Sequence, residues 1–152
     1  MRYARRMNEP YDLGALGRRL AGILDPRAEV LEAYLFGSVA TGRAQAHSDL
    51  DVAVFVDLTV APSGGFGYRA GLTTDLMAGL GTNEVDVVVL NDAPPLLYHR
   101  VLRDGIRVLS RNLKETTVRE ARAVSRYCDF IPQLAKIDGV LYGTSKREAP
   151  AS

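Results

Sequence analysis

The run Leu50–Val56, LDVAVFV, constrains this chain most, because past its first residues it is apolar at successive positions rather than alternate ones. A strand apolar on both faces lies inside a sheet with a covering layer on each side, so the chain must wrap helices around a sheet. The departure comes at the strand's entrance, where Asp49 and Asp51 bracket Leu50. Side chains alternate along a strand, which puts the two carboxylates on one face with Cα atoms about 6.6 Å apart. Like charges that close raise each other's pKa and call for a positive partner. Mg²⁺ suits such a pair, being a hard cation that takes oxygen ligands and completes its shell with water and phosphates.

The covering layers are legible in the flanking segments. After Pro10, the residues Leu13, Leu16, Leu20, Ile23 and Leu24 share one helical stripe that Asp25-Pro26 ends. Glu29 to Phe36 reads as a strand running into a tight turn at Gly37, with a short helix over Val39 to Thr41. Asp57 to Gly67 holds Pro62 and three glycines and reads as a mobile loop before a helix over Tyr68 to Leu80, with Leu72, Leu76 and Leu80 buried and Gly81 as its end. Glu84 to Leu90 (EVDVVVL) is the third strand. Pro94 and Pro95 open a short helix through Leu102 that Gly105 caps, and Ile106 to Leu109 adds a small fourth strand to a mixed sheet. A long helix starts at Asn112, with Val118, Ala121, Val124, Cys128 and Ile131 near its buried stripe, Glu115 facing Arg119, and Pro132 kinking or ending it. The expected architecture is a single α/β (α+β) domain over residues 1–144, with its core at about 28–110, its last helix at about 113–140 and a frayed tail over 145–152.

Composition removes several function classes. With 152 residues, 47% hydrophobic and 24% charged, the chain is of one-domain size and globular in composition. It has no apolar run of membrane-spanning length and no signal-peptide core, which points to the cytoplasm. One cysteine and two histidines cannot supply a thiolate or imidazole cluster, so any metal must be held by oxygen. The net charge of +1 argues against direct nucleic-acid binding. The charge is uneven, with eight basic and twelve acidic side chains up to residue 99 against eleven and six beyond it. A basic end can steer an anionic substrate or partner, and a solvated helix face of mixed charge, the commoner case, explains it as well.

The chemistry gathers between the first two strands. Gly37-Ser38 is followed by ten residues and then Asp49-Leu50-Asp51. Gly37 lets the backbone approach a phosphate without a Cβ, and Ser38 adds a hydroxyl and an N–H. Asp86 sits inside an otherwise apolar strand. If that strand lies beside the second, Asp86 joins Asp49 and Asp51 in a three-carboxylate site for two cations, one activating an attacking hydroxyl and one holding the phosphates. A lone D-x-D is more often a solvated strand entrance. The joint occurrence with the Gly-Ser turn and the in-strand acid favours nucleotidyl transfer.

Two rival phosphate motifs fail. Gly37 to Gly42 has P-loop spacing, but Arg43-Ala44 stands where Lys-Ser/Thr is required. Gly65 to Ala70 matches G-x-G-x-x-A but is separated from the preceding strand by a long loop. His47 and His99 read as surface residues, Tyr34, Tyr98 and Tyr127 as core or rim aromatics, and Cys128 as a small buried hydrophobe.

The passage FGSVATGRAQAHSDLDVAVF resembles the GSx10DxD signature of the DNA polymerase beta-like nucleotidyltransferase superfamily, and VDVVVL resembles its third-carboxylate strand. LLYHRVLRDGIRVL, Leu96 to Leu109, extends the similarity over about residues 30–110. Within that superfamily the chain resembles the minimal nucleotidyltransferases of the MntA antitoxin type. The resemblance implies a small mixed sheet flanked by helices and transfer of AMP from ATP to a tyrosine of a HEPN-domain (HepT-type) toxin, in a type VII toxin–antitoxin system. It further implies that Asp49, Asp51 and Asp86 bind Mg²⁺ as metal ligands and catalytic groups, Asp86 lying nearest the acceptor hydroxyl, and that Gly37 and Ser38 hold the triphosphate. Val39 and Thr41 stand where many relatives have arginines, which shifts the cationic phosphate contact to Arg43 or weakens it. After Leu109 there is only one long helix and a tail, so the acceptor surface must come from elsewhere, favouring a protein over an aminoglycoside-type small molecule. An antitoxin acting by binding alone is the remaining class.

Overall fold

The computed structural model describes residues 12–44, 48–61 and 66–147. In chain order its elements are α1 (Leu13–Leu24), β1 (Val30–Phe36), the single turn α2 (Gly37–Ala40), β2 (Leu50–Val56), α3 (Phe66–Leu80) and β3 (Val85–Val89). A 3-10 turn over Leu90–Asp92, α4 (Pro95–Asp104), β4 (Ile106–Ser110) and α5 (Leu113–Arg147) complete them. The sheet has the order β3-β2-β1-β4. It is mixed, since β1 runs antiparallel to both β2 and β4 whereas β2 and β3 are parallel and joined through α3.

The apolar run at Leu50–Val56 is the interior strand its composition demanded. One face of the sheet, carrying Val30, Ala33, Leu35, Val52, Val54, Val56 and Val87, is covered by Leu16, Leu20 and Leu24 of α1 and Leu72, Leu76 and Leu80 of α3. The other face carries Tyr34, Phe36 and Ala53, which pack with Tyr98 and Val101 of α4 and Ala123 of α5. The second cover is partial. It reaches β1 and Ala53 of β2, and leaves Asp51 partly exposed and Asp86 exposed at the entrances of β2 and β3.

Polar devices fix the ends of the elements. The Asp12 carboxylate accepts a hydrogen bond from the Ala15 amide and caps α1. At the other end of α1, the Arg111 guanidinium donates to the carbonyls of Leu24, Asp25, Arg27 and Val30, a cation set where the helix dipole is negative. Asn91 extends the β2 ladder beyond β3, accepting from the Val56 amide and donating to the Val56 carbonyl. Gly105 closes α4, but its backbone is not left-handed (φ −84°). It is needed for closeness, since a Cβ there would lie 2.2 Å from the Val101 carbonyl oxygen and 3.2 Å from that of Leu35. Gly105→Ala should therefore lower the unfolding free energy by about 1–3 kcal/mol, seen as a drop in urea midpoint with unchanged slope.

The last helix corrects the sequence reading in three ways. It continues through Pro132 to Arg147, into the segment expected to fray; residues 148–152 lie outside the described part. The expected buried stripe faces outward, with Val118, Val124 and Ile131 42–45% exposed. Cys128 is exposed on that same stripe rather than buried. The inward face is mainly polar. Glu32 on β1 is fully buried and ion-paired to Arg119, whose guanidinium carbon stands 5.1 Å from the centre of the Phe55 ring. Beside it the Tyr34 hydroxyl donates to Glu120 (2.7 Å), Arg107 donates to the same carboxylate (2.8 Å), and Ser110 and Thr116 share a hydrogen bond. His99 of α4 stacks on Tyr127 of α5 with centroids 3.6 Å apart, so both side chains belong to the helix contact. No helix among the described residues is long and apolar enough to cross a membrane.

Candidate active site

Strand register brings the expected acids together. In the antiparallel β1–β2 pair, Phe36 lies opposite Asp51. The chain therefore leaves β1 at Gly37, turns through α2, and after the ten-residue spacer re-enters the sheet beside its own point of departure. In the parallel β2–β3 pair, Asp51 lies opposite Asp86, so the in-strand acid shares a rung with the second acid of the D-x-D. By strand alternation both point to the face left open by α4 and α5. Asp49, one residue ahead of β2, is exposed, and its charge reaches Asp51.

Gly37 is required twice over. Its φ of +75° is one that L side chains rarely adopt, and a Cβ there would fall 2.0 Å from Oδ2 of Asp51. The backbone of the Gly-Ser turn is thus laid directly against the carboxylate. The turn is held by the amide and hydroxyl of Thr41, both donating to the Gly37 carbonyl, and by the Arg43 amide donating to the Ser38 carbonyl. Thr41 closes the turn at a position where a longer cation was expected from the resemblance.

The cluster carries uncompensated negative charge. Burial first, and then the charges of Asp86 and Asp49, push the Asp51 carboxyl up to about 6. Asp86, its side chain half exposed on the edge strand β3, has one described partner, Nη2 of Arg69, which reaches it from α3 at 3.2 Å. Arg43 directly follows the turn, its amide bonded to the Ser38 carbonyl. Its charge is felt by Asp104, whose carboxyl is held below the usual range chiefly by the hydrogen bond from Arg103. His47 lies outside the described residues. Arg69 had no signal of its own in the sequence, sitting inside the Gly65–Ala70 stretch set aside as a dinucleotide motif.

The donors suit a hard divalent cation in kind, being carboxylates, of which Asp51 is held above its usual range with no described cation against it. As the side chains stand, no three acidic, imidazole or thiolate groups among the described residues close on one ion. Mg²⁺ does not require that, since it is commonly held by one or two carboxylates with water and phosphate oxygens completing the shell.

Comparison with known proteins agrees with this geometry. No curated protein matches the chain by sequence. Among solved structures, a toxin–antitoxin complex with AMP-PNP is similar at 24% identity and TM-score 0.68, over 82% of this chain and 98% of that one. A Shewanella oneidensis complex of tri-AMPylated HEPN toxin with MNT antitoxin is similar at 23% identity and TM-score 0.63, over 84% and 98%. A protein described as a minimal nucleotidyltransferase reaches 33% identity at TM-score 0.50, over 63% and 95%. These likenesses carry the fold. The family model described as polymerase beta, nucleotidyltransferase, matches residues 18–114. That match spans more than half of the chain, and the chain belongs to the polymerase beta nucleotidyltransferase family.

Proposed function

We propose that this chain transfers AMP from ATP to a tyrosine hydroxyl of a HEPN-domain partner toxin, as the antitoxin of the pair. The observation that carries the reading is the shared rung of Asp51 and Asp86 with Gly37 packed against Asp51. It supports a site where a triphosphate lies along the Gly37-Ser38 turn and its α-phosphorus faces the carboxylates. Asp49, Asp51 and Asp86 would hold Mg²⁺, which supplies neutralisation of the acids and of charge developing on the phosphates. The tyrosine oxygen attacks the α-phosphorus, the bond to the bridging oxygen breaks, and pyrophosphate leaves. Asp86, half exposed on the edge strand, is open to an acceptor arriving from outside, and it takes the hydroxyl proton.

A protein acceptor fits what surrounds the site. The open end of the sheet face has no second domain over it among the described residues, and α5 beside it presents Val118, Val124, Cys128 and Ile131 to solvent. Relatives of this fold have been solved in complex with HEPN toxins, one of them tri-AMPylated. The test is mass spectrometry of the protein encoded beside this chain, after incubation with the chain, Mg²⁺ and each NTP. The expected result is an added AMP mass on tyrosine with ATP only, absent with Asp51→Asn. A stable complex without adduct would replace this reading by inhibition through binding, and no complex would redirect the search to small hydroxylated acceptors.

A further inference from the structure

We propose that Arg69 is an exchangeable cation of the site, paired with Asp86 while no divalent cation is bound and passed to the nucleotide phosphates when one is. This rests on the reading of the carboxylate cluster given above. Arg69 lies on α3, which covers the opposite face of the sheet, and it reaches Asp86 because β3 is the edge strand of the described sheet. The contact is single, one Nη2 to one Oδ1 at 3.2 Å, with both side chains half exposed. An arginine that used its planar fork on the carboxylate would make two parallel hydrogen bonds. Here the remaining N–H groups have no described partner and stay available to a second anion.

Energetics decide between a permanent clamp and an exchangeable one. A half-exposed, single-contact ion pair is weak, amounting to a factor of about two to five in an equilibrium. A divalent cation on the same carboxylate outcompetes it, which frees a guanidinium at the β3 edge of the carboxylate cluster. The chain's other candidate, Arg43, directly follows the Gly-Ser turn, and positions 39 and 41 hold Val and Thr. Arg69 is the described cation in contact with an acid of the cluster.

Exchange gives Arg69 opposite effects on two ligands, which a purely structural residue would not. Isothermal titration with Mn²⁺ alone, and then with a non-hydrolysable ATP analogue at saturating Mn²⁺, reads both without any turnover. In Arg69→Ala, Mn²⁺ alone should bind about two- to fivefold tighter because its competitor is gone. The analogue should bind about fivefold or more weakly, with Arg69→Lys between the two. Unchanged or weaker Mn²⁺ binding in Arg69→Ala, with the variant's melting curve intact, overturns the exchange. Asp51→Asn in the wild-type background separates the two failures. If it abolishes Mn²⁺ binding while Arg69→Ala does nothing, only the role of Arg69 falls, and if Mn²⁺ binding ignores Asp51, the site reading falls with it.

Discussion

Replacing Arg119 by alanine is expected to cost about 3–5 kcal/mol, the penalty for leaving a buried charge without its partner. Glu32 is fully buried on β1, and its second carboxylate oxygen already lacks a hydrogen bond within the described residues, as does the Tyr98 hydroxyl near it. Burial, followed by the Glu32 charge, pushes the Tyr98 phenol up to about 12, so Tyr98 stays neutral and cannot replace the arginine's charge. Against a typical unfolding free energy of about 5–15 kcal/mol, the loss would leave the fold marginal at 37 °C. Glu32→Gln combined with Arg119→Met removes both charges and should recover most of the deficit, because a buried pair replaced as a unit is often close to neutral. Urea denaturation of the two variants provides the comparison. An Arg119→Ala protein within about 1 kcal/mol of wild type would mean that water reaches Glu32 and the pair is not dry.

Asp51→Asn should move stability and activity in opposite directions. The folded-state pKa of Asp51 is raised, from 3.8 to about 6, so the fold favours the protonated acid. That contribution is fully present below the unfolded value near pH 4 and is lost as pH rises through 6, leaving the metal-free protein strained at neutral pH. A shift of about two units corresponds to roughly 3 kcal/mol, and partial solvent access reduces this to about 1–2 kcal/mol. Asparagine keeps the shape without the charge. Scanning calorimetry without metal should show the variant melting roughly 3–6 °C above wild type at pH 7.5, with the gap closing toward pH 4. Transfer of AMP should fall by at least about a hundredfold. A variant that melts below wild type at pH 7.5, or a gap that ignores pH, would remove electrostatic strain as the explanation.

The parts of the fold that were legible in the sequence are those where one physical demand acted alone. Leu50–Val56 announced an interior strand because both its faces are covered by apolar layers, and Asp49 and Asp51 stood out as exceptions to that pattern. Asp86 was legible for the same reason, though only the parallel register fixed it opposite Asp51. The last helix was misread because apolar spacing was the available guide. Its inward face is fastened through Thr116, Arg119, Glu120 and Tyr127, residue types that in sequence look like surface, while Val124, Cys128 and Ile131 face solvent. Arg119, Glu120 and Tyr127 find Glu32 and Tyr34 on β1 and His99 on α4, too far along the chain for any local periodicity to report. Gly105 caps α4 as its position indicated, and what requires glycine there is close approach to the Val101 carbonyl and then to that of Leu35, not a left-handed backbone. Arg69 was passed over because its meaning depends on β3 being an edge.

The rung joining Asp51 to Asp86 makes the site digital. Side chains alternate faces along a strand, so a slip of β3 by one residue would turn Asp86 to the covered side and bring Val85 or Val87 into its place. There is no intermediate register in which the third acid is nearly right. Drift in the surrounding loops can tilt or loosen the cluster, but only a change of strand pairing can take it apart. A population of these molecules therefore divides into those with a complete set of acids and those without, and any graded response of the ensemble is a matter of counting molecules rather than of half-built sites.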